Sequence, residues 1–151
     1  LDGLTNDVVL RTTAKLNNSS NATFVTVNEH AIPVVAGRVY VFEMLLRFQT
    51  AATTTGLGMS IGGTATGTLT ANANAIIAVG TAGLFSGPLT ALNGVVTSTS
   101  VVAANTPYIA RITGIFIATT SGNIYPQFRS EVNGSQASIL ADSITTYKEV
   151  A

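Results

Sequence analysis

Residues 34–48 read VVAGRVYVFEMLLRF, a sequence typical of a long β-strand. Alternate positions form one face that is wholly apolar: Tyr40, Phe42, Met44, Leu46 and Phe48. The opposite face is apolar with two charged interruptions: Val39, Val41, Glu43, Leu45 and Arg47. Apolar residues on both faces indicate a strand that is covered on both sides. We therefore predict that a second layer, most simply another copy of the protein, covers Val39, Val41 and Leu45.

The rest of the chain contains short apolar runs bounded by Gly, Asn, Ser and Pro, which is typical of many short antiparallel strands. The predicted strands lie at residues 8–12, 22–27, 38–50, 57–61, 75–79, 95–102, 108–118, 124–132, 137–141 and 144–150. A loop over residues 83–94 is the candidate binding loop. We predict an all-β fold, an antiparallel β-sandwich of the jelly-roll type with about 8–10 strands. Residues 1–151 would form a single domain, with residues 1–21 as a candidate extended N-terminal arm.

Composition points to assembly and excludes several classes of partner. Charged residues make up 9% of the chain, with seven basic and seven acidic side chains, against about 25% in a typical domain. Low charge favours association between copies. Nucleic acid is not expected because Lys and Arg do not cluster, and a membrane is not expected because no apolar run approaches about 20 residues.

The chain contains no cysteine, so disulfides and cysteine-based sites are excluded. It begins at Leu1 rather than Met and lacks a recognisable signal sequence. This start fits a processed product, a trimmed chain or the ordered part of a longer polypeptide.

Residues 58–62 read GMSIG and match the G-x-S-x-G motif of serine hydrolases. The motif requires a strand-to-helix turn, whereas the pattern here predicts a strand without a following helix. The only histidine, His30, precedes Ser60 and is expected in a loop or at a strand edge. We therefore predict that the protein is not an enzyme and binds no cofactor, and sequence spacing offers no metal site, although one assembled across subunits stays open.

Five charged residues interrupt apolar or strand-internal positions: Glu43, Arg47, Arg111, Arg129 and Glu131. A charge that is buried in a protein has to be paired. We predict that Arg111 or Arg129 pairs with Glu131 or Glu43, across neighbouring strands or subunits. The alternative is a solvated sheet face.

Three segments resemble stretches that recur in structural proteins of tailed bacteriophages. They are residues 35–56, which begin with VAGRVY and end with FQTAATTTG, PYIARITG at residues 107–114 and FRSEV at residues 128–132. Their order and spacing are also similar, and the resemblance covers most of the chain from Ala22 onward, least well at residues 72–105. Proteins of this group are similar in architecture to the trimeric jelly rolls of the tumour-necrosis-factor and complement-C1q type. The resemblance implies no catalytic residues.

The resemblance implies a non-enzymatic structural protein of the virion. Our first expectation is a trimeric decoration (cement) protein on the outside of a tailed-phage head, with itself and the major capsid protein or other virion proteins as partners. The alternative is the receptor-binding distal domain of a tail or head fibre, in which the loop at residues 83–94 would contact a host surface glycan. A small hydrolase is the least favoured hypothesis.

Overall fold

The structure is a computed structural model that describes residues 7–79 and 83–151. The first six residues of the predicted N-terminal arm, which include Leu1 and Asp2, lie outside the described residues. The described part contains one 3₁₀ turn, Asn28–His30, and the following strands: β1 (Val8–Arg11), β2 (Leu16–Asn18), β3 (Val25–Thr26), β4 (Ile32–Val34), β5 (Val39–Thr50), β6 (Leu57–Gly63), β7 (Gly67–Ile76), β8 (Leu84–Leu89), β9 (Val95–Thr97), β10 (Tyr108–Ala118), β11 (Gly122–Ser130), β12 (Ala137–Ile139) and β13 (Ile144–Glu149).

The strands form two antiparallel sheets. Sheet A has the order β1-β13-β5-β10-β7-β8, and β12, which also pairs with β2, extends it beside the end of β5. Sheet B has the order β3-β11-β6-β9, with β4 beside another part of β11. The predicted all-β antiparallel sandwich is confirmed, with more strands than expected because several contain only two or three residues.

The path of the chain is that of a jelly roll. The chain crosses repeatedly between the sheets and finally returns to β13 in sheet A. The crossings are from β2 to β3, β4 to β5, β5 to β6, β6 to β7, β8 to β9, β9 to β10, β10 to β11 and β11 to β12. This places the first and last strands side by side in sheet A, as in a double Greek key. The β7–β8 hairpin is an addition to that scheme. It comes between β6 and β9 in the chain and continues sheet A beyond β10.

One hydrophobic core fills the space between the sheets. Sheet A contributes the predicted apolar face of β5 and, from β10, the residues Ala110, Ile112 and Phe116. Sheet B contributes Leu57, Met59, Ile61, Ile124 and Phe128. Each side chain lies opposite the other sheet because alternate residues of a strand point to the same side.

The structure corrects the predicted strands between residues 57 and 102. Strand β6 continues through Gly62 and Gly63, two residues beyond the predicted end of the strand at residue 61. A Cβ on Gly63 would lie 2.4 Å from the carbonyl oxygen of Asn123, so this pairing with β11 requires glycine. The strand expected at residues 75–79 begins earlier, as β7, and the one expected at residues 95–102 is the short β9.

Half of the predicted binding loop at residues 83–94 is a strand, β8. Gly87 and Pro88 suggested a loop in the sequence. Proline is tolerated here because β8 is the edge strand of sheet A and pairs only with β7.

Candidate assembly face

The outer face of sheet A, defined as the side turned away from the core, carries most of the predicted interface residues. Val39, Val41, Glu43, Leu45 and Arg47 all alternate with buried residues of β5 and therefore lie on this face. In the antiparallel register, Val39 pairs with Ile117 and Val41 pairs with Ile115 of β10. These four residues form the first patch. Because Ile115 and Ile117 are each 45% exposed, the first patch is an open apolar surface.

A second patch lies at the other end of the same face. Ile76 of β7 pairs with Leu84 of β8. Ala75 pairs with Ala110, so the next residues, Ile76 and Ile109, are neighbours across the two strands. Ile76, Leu84 and Ile109 are all exposed, and together they form the second patch.

A polar belt separates the two patches. It contains the pairs Glu43–Thr113 and Thr113–Asn72 and the pair Arg111–Asn74. Glu43 and Arg111 are diagonal neighbours on β5 and β10, a spacing that long side chains can bridge. Arg111 donates to Glu43 Oε2 from Nε at 2.9 Å and from Nη2 at 2.5 Å.

The ion pair in the belt is open to solvent in the single chain. The side chains of Arg111 and Glu43 are 51% and 40% exposed. Ion pairs at such positions contribute only about 0–1 kcal/mol to stability. The pair therefore contributes little to the stability of the isolated chain. Its contribution depends on whether another molecule covers the face.

The other charged candidates are not brought together. Arg47 Nη1 donates to the carbonyl oxygen of Ala141 at 2.6 Å. Arg129 belongs to sheet B, where its guanidinium lies 5.1 Å from the centre of the Phe24 ring. Glu131, just after β11, accepts a hydrogen bond from the backbone N–H of Gly56 at 3.1 Å. No sequence signal distinguished Arg111 from Arg129, since the choice depends on strand register.

A shallow depression of about 530 Å³ opens on the outer face of sheet A over β13, β5 and β10. Its outward-pointing lining residues are Val41, Glu43, Thr113, Ile115, Thr146 and Lys148. The depression joins the first patch to the polar belt. The depression is a hollow in a face that is otherwise the surface of a regular sheet.

The outer face of sheet B is closed by its own side chains. Gly58, Ser60 and Gly62 alternate on this side of β6, and larger residues of β11 lie across them. A Cβ on Gly62 would lie 2.4 Å from Gln127 Oε1, and one on Gly58 would lie 2.8 Å from Arg129 Cγ. The small residues of the GMSIG motif thus provide room for Gln127 and Arg129.

The arrangement around Ser60 is not that of a nucleophile. Ser60 is fully buried in the middle of β6, and its Oγ accepts a hydrogen bond from Gln127 Nε2 at 3.1 Å. The ring of His30 contacts Thr12 and Thr145 instead. His30, expected in a loop or at a strand edge, lies in the 3₁₀ turn and is completely buried.

Within residues 7–79 and 83–151, no group of three or more His, Asp or Glu side chains is placed to hold a metal ion. In the same part of the chain, no helix has both the length and the apolar character needed to cross a bilayer.

No protein-family model and no curated protein matches the chain. Among solved structures, it is similar to Eiger, a TNF protein of S. frugiperda, at 10% identity over 96% of this chain and 93% of that one, with a TM-score of 0.46. It is also similar to VP2 in a subviral particle of infectious bursal disease virus, at 12% identity and a TM-score of 0.26, and to the Gx strain of that virus, at 13% and 0.29. The two viral matches cover 98% of this chain but only 40% of the viral ones. Similarities this distant do not decide the function.

Proposed function

We propose that the chain is a non-enzymatic structural protein of a virus particle that acts by assembling with copies of itself. The observation that carries this proposal is the outer face of sheet A. It exposes two apolar patches in a chain whose charged residues amount to only 9%. Exposed apolar patches on one face of a low-charge protein are typical of a protein–protein contact.

The finer form of the proposal is a trimeric decoration protein on the outside of a tailed-phage head. Its support is the resemblance of residues 35–56, 107–114 and 128–132 to phage structural proteins, together with the jelly-roll path of the chain. Each trimer would bridge neighbouring capsid subunits. Many weak contacts summed over many copies would then oppose rupture of the shell.

The alternative is a receptor-binding domain at the end of a fibre. That hypothesis relied on residues 83–94 as a long loop for a host glycan. Since Leu84–Leu89 is strand β8, only the short connection from Thr90 to Gly94 retains the character of a loop. At this position the alternative therefore has a shorter loop for a glycan than it expected, and it stays a second candidate.

The test of the virion role is to count the protein on purified particles of the phage that encodes it, and to compare heads with and without its gene. A decoration protein should be present in hundreds of copies, and heads that lack it should rupture at a lower temperature. Few copies per particle, combined with loss of host binding on deletion, would favour the fibre domain. Absence from the particles would overturn the proposal.

A further inference from the structure

We infer that a second copy of this chain covers the whole outer face of sheet A, with the Glu43–Arg111 ion pair near the middle of the contact. This inference deepens the proposed function, because it rests on self-assembly and names the surface. A contact of this face with the same face of another copy closes at two copies. It is therefore an alternative to the trimer of the finer proposal, and it does not depend on where in a virion the protein sits.

The size of the face matches a stable contact. Six strands spaced by about 4.8 Å span about 24 Å, and the 11 residues of β10 extend for about 36 Å. The face therefore offers roughly 850 Å², close to the roughly 800 Å² that each partner buries in a standard interface. Each patch alone covers only a fraction of that area, so a stable contact has to include the polar belt as well.

The charges on the face allow it to meet another copy of itself. Arg111 is bound to Glu43, Arg11 is bound to Asp142 on the margin of the sheet, and Arg47 is bound to the carbonyl oxygen of Ala141. These arginines already have acceptors within the chain. The other charged residues at the depression are one basic and one acidic, Lys148 and Asp7. The face therefore has no excess of one sign that would repel another copy or attract a strongly acidic or basic partner.

The contrast with sheet B identifies which face is used. On sheet B, the side chains of Gln127 and Arg129 fill the space above the small residues of β6. On sheet A, no layer covers Val41, Ile109, Ile115 and Ile117 among the residues that the structure describes, 7–79 and 83–151. A covering layer of the same composition supplies apolar surface for both patches and polar groups for the belt.

The ion pair changes its role on assembly. In the single chain it is half exposed and contributes little. When the face is covered, both charges are desolvated, and removing one leaves the other buried without a partner. The pair then acts as a specificity element: it penalises any contact in which the belt does not meet polar groups.

The first experiment is to measure the mass of the purified protein by light scattering from low to high micromolar concentration, with two matched substitutions. Ile115→Lys places a charge in the first patch. Val95→Lys makes the same change on the outer face of sheet B, at a residue that is also β-branched and is 37% exposed. We expect the wild type and Val95→Lys to form the same oligomer, and Ile115→Lys to be a monomer with an unchanged circular dichroism spectrum.

The second experiment tests the ion pair. Arg111→Ala should raise the dissociation constant of the oligomer at least about tenfold. Arg11→Ala, which removes a more exposed ion pair on the margin of the same sheet, should change it less than about threefold. Equal effects of the two substitutions would overturn the central position of Glu43–Arg111.

The outcomes separate this inference from the virion role. The inference is overturned if the wild type is monomeric at every concentration, or if the oligomer persists in the Ile115→Lys variant. It is also overturned if the protein is a monomer that binds a different virion protein and Ile115→Lys abolishes that binding. Assembly through this face by a protein that is absent from particles supports the inference and overturns the virion role alone.

Discussion

His30 is the single histidine of the chain, and its imidazole is completely buried. Nε2 lies 2.9 Å from Thr12 Oγ1, and Nδ1 lies 2.6 Å from Thr145 Oγ1. The ring thus connects the segment after β1 with β13. Burial lowers the pKa of His30 below its ordinary 6.5, against smaller opposite effects of the Ser143 carbonyl and the Glu29 carboxylate.

We predict that the protein loses stability as the pH falls below about 6.5, because the pKa of His30 is lower in the folded state than in the unfolded chain. The unfolded chain binds the proton more readily, so the stability is fully present above about pH 6.5 and falls as the pH decreases towards the folded pKa. Between the pKa of the unfolded chain and that of the folded state, each pH unit lowers the free energy of unfolding by up to about 1.4 kcal/mol. His30→Gln keeps a donor and an acceptor without a titrating group, so urea unfolding should show a flatter pH profile for this variant. Identical profiles for the variant and wild type would contradict the prediction.

The acidic residue next to His30 titrates in a separate range. The backbone N–H and the hydroxyl of Thr13 donate to the Glu29 carboxylate at 3.0 and 2.7 Å and lower its pKa below 4.5. The contribution of Glu29 to stability is therefore lost only when the pH falls below about 4.5. A change in stability between pH 5 and pH 7 then reports on His30 and not on Glu29.

At the scale of single residues, the sequence predicted which charged positions were unusual but not how they pair. Arg111 and Arg129 both interrupt apolar strands and look equivalent in the sequence. Register separates them, because Arg111 pairs with Leu45 and so lies diagonally from Glu43, whereas Arg129 pairs with Gly58 in the other sheet. The burial of His30 could not be predicted from the sequence either, because it depends on contacts with Thr12 and Thr145, which are far apart in the sequence.

Among the elements, β10 packs closely at one glycine in its middle. A Cβ on Gly114 would lie 2.5 Å from both the Cβ of Ala71 and the carbonyl oxygen of Thr70. The neighbouring strand β7 therefore approaches β10 at a distance that only glycine permits. This position is constrained by its surroundings rather than by its backbone conformation.

We predict that Gly114→Ala lowers the free energy of unfolding by about 1–3 kcal/mol, because the added methyl group pushes β7 away from β10. Urea unfolding at one fixed protein concentration measures the change. Thr113→Ala, at the adjacent outward position, should cost less than about 1 kcal/mol. A Gly114→Ala variant as stable as wild type would show that β7 can move without loss.

Whether a strand could be predicted depended on how much apolar surface it carries. β5 and β10 have large side chains at every second position, and their boundaries were predicted to within one residue. β7 buries Leu69 and then the small Ala71, Ala73 and Ala75, a pattern too weak to locate the strand. β2, β4 and β12 have three residues each, and their pairing depends on partner strands more than on their own sequences.

For the whole molecule, folding and assembly should be linked. A partner that binds only the folded chain stabilises it by mass action. We therefore predict that the thermal midpoint of the wild type rises by a few degrees for each tenfold increase in protein concentration. Differential scanning calorimetry measures the shift. The Ile115→Lys variant should show a midpoint independent of concentration, and a constant midpoint for the wild type would contradict linked assembly.

The antiparallel pairing of β1 with β13 has a mechanical consequence. Val8, at the start of β1, pairs with Tyr147, near the end of β13, so the two ends of the described sandwich emerge at the same pole of sheet A. A force that separates these ends acts across the strands and loads the hydrogen bonds between β1 and β13 one after another. The fold is therefore mechanically weak when it is pulled by these two ends, because its terminal strands separate one hydrogen bond at a time.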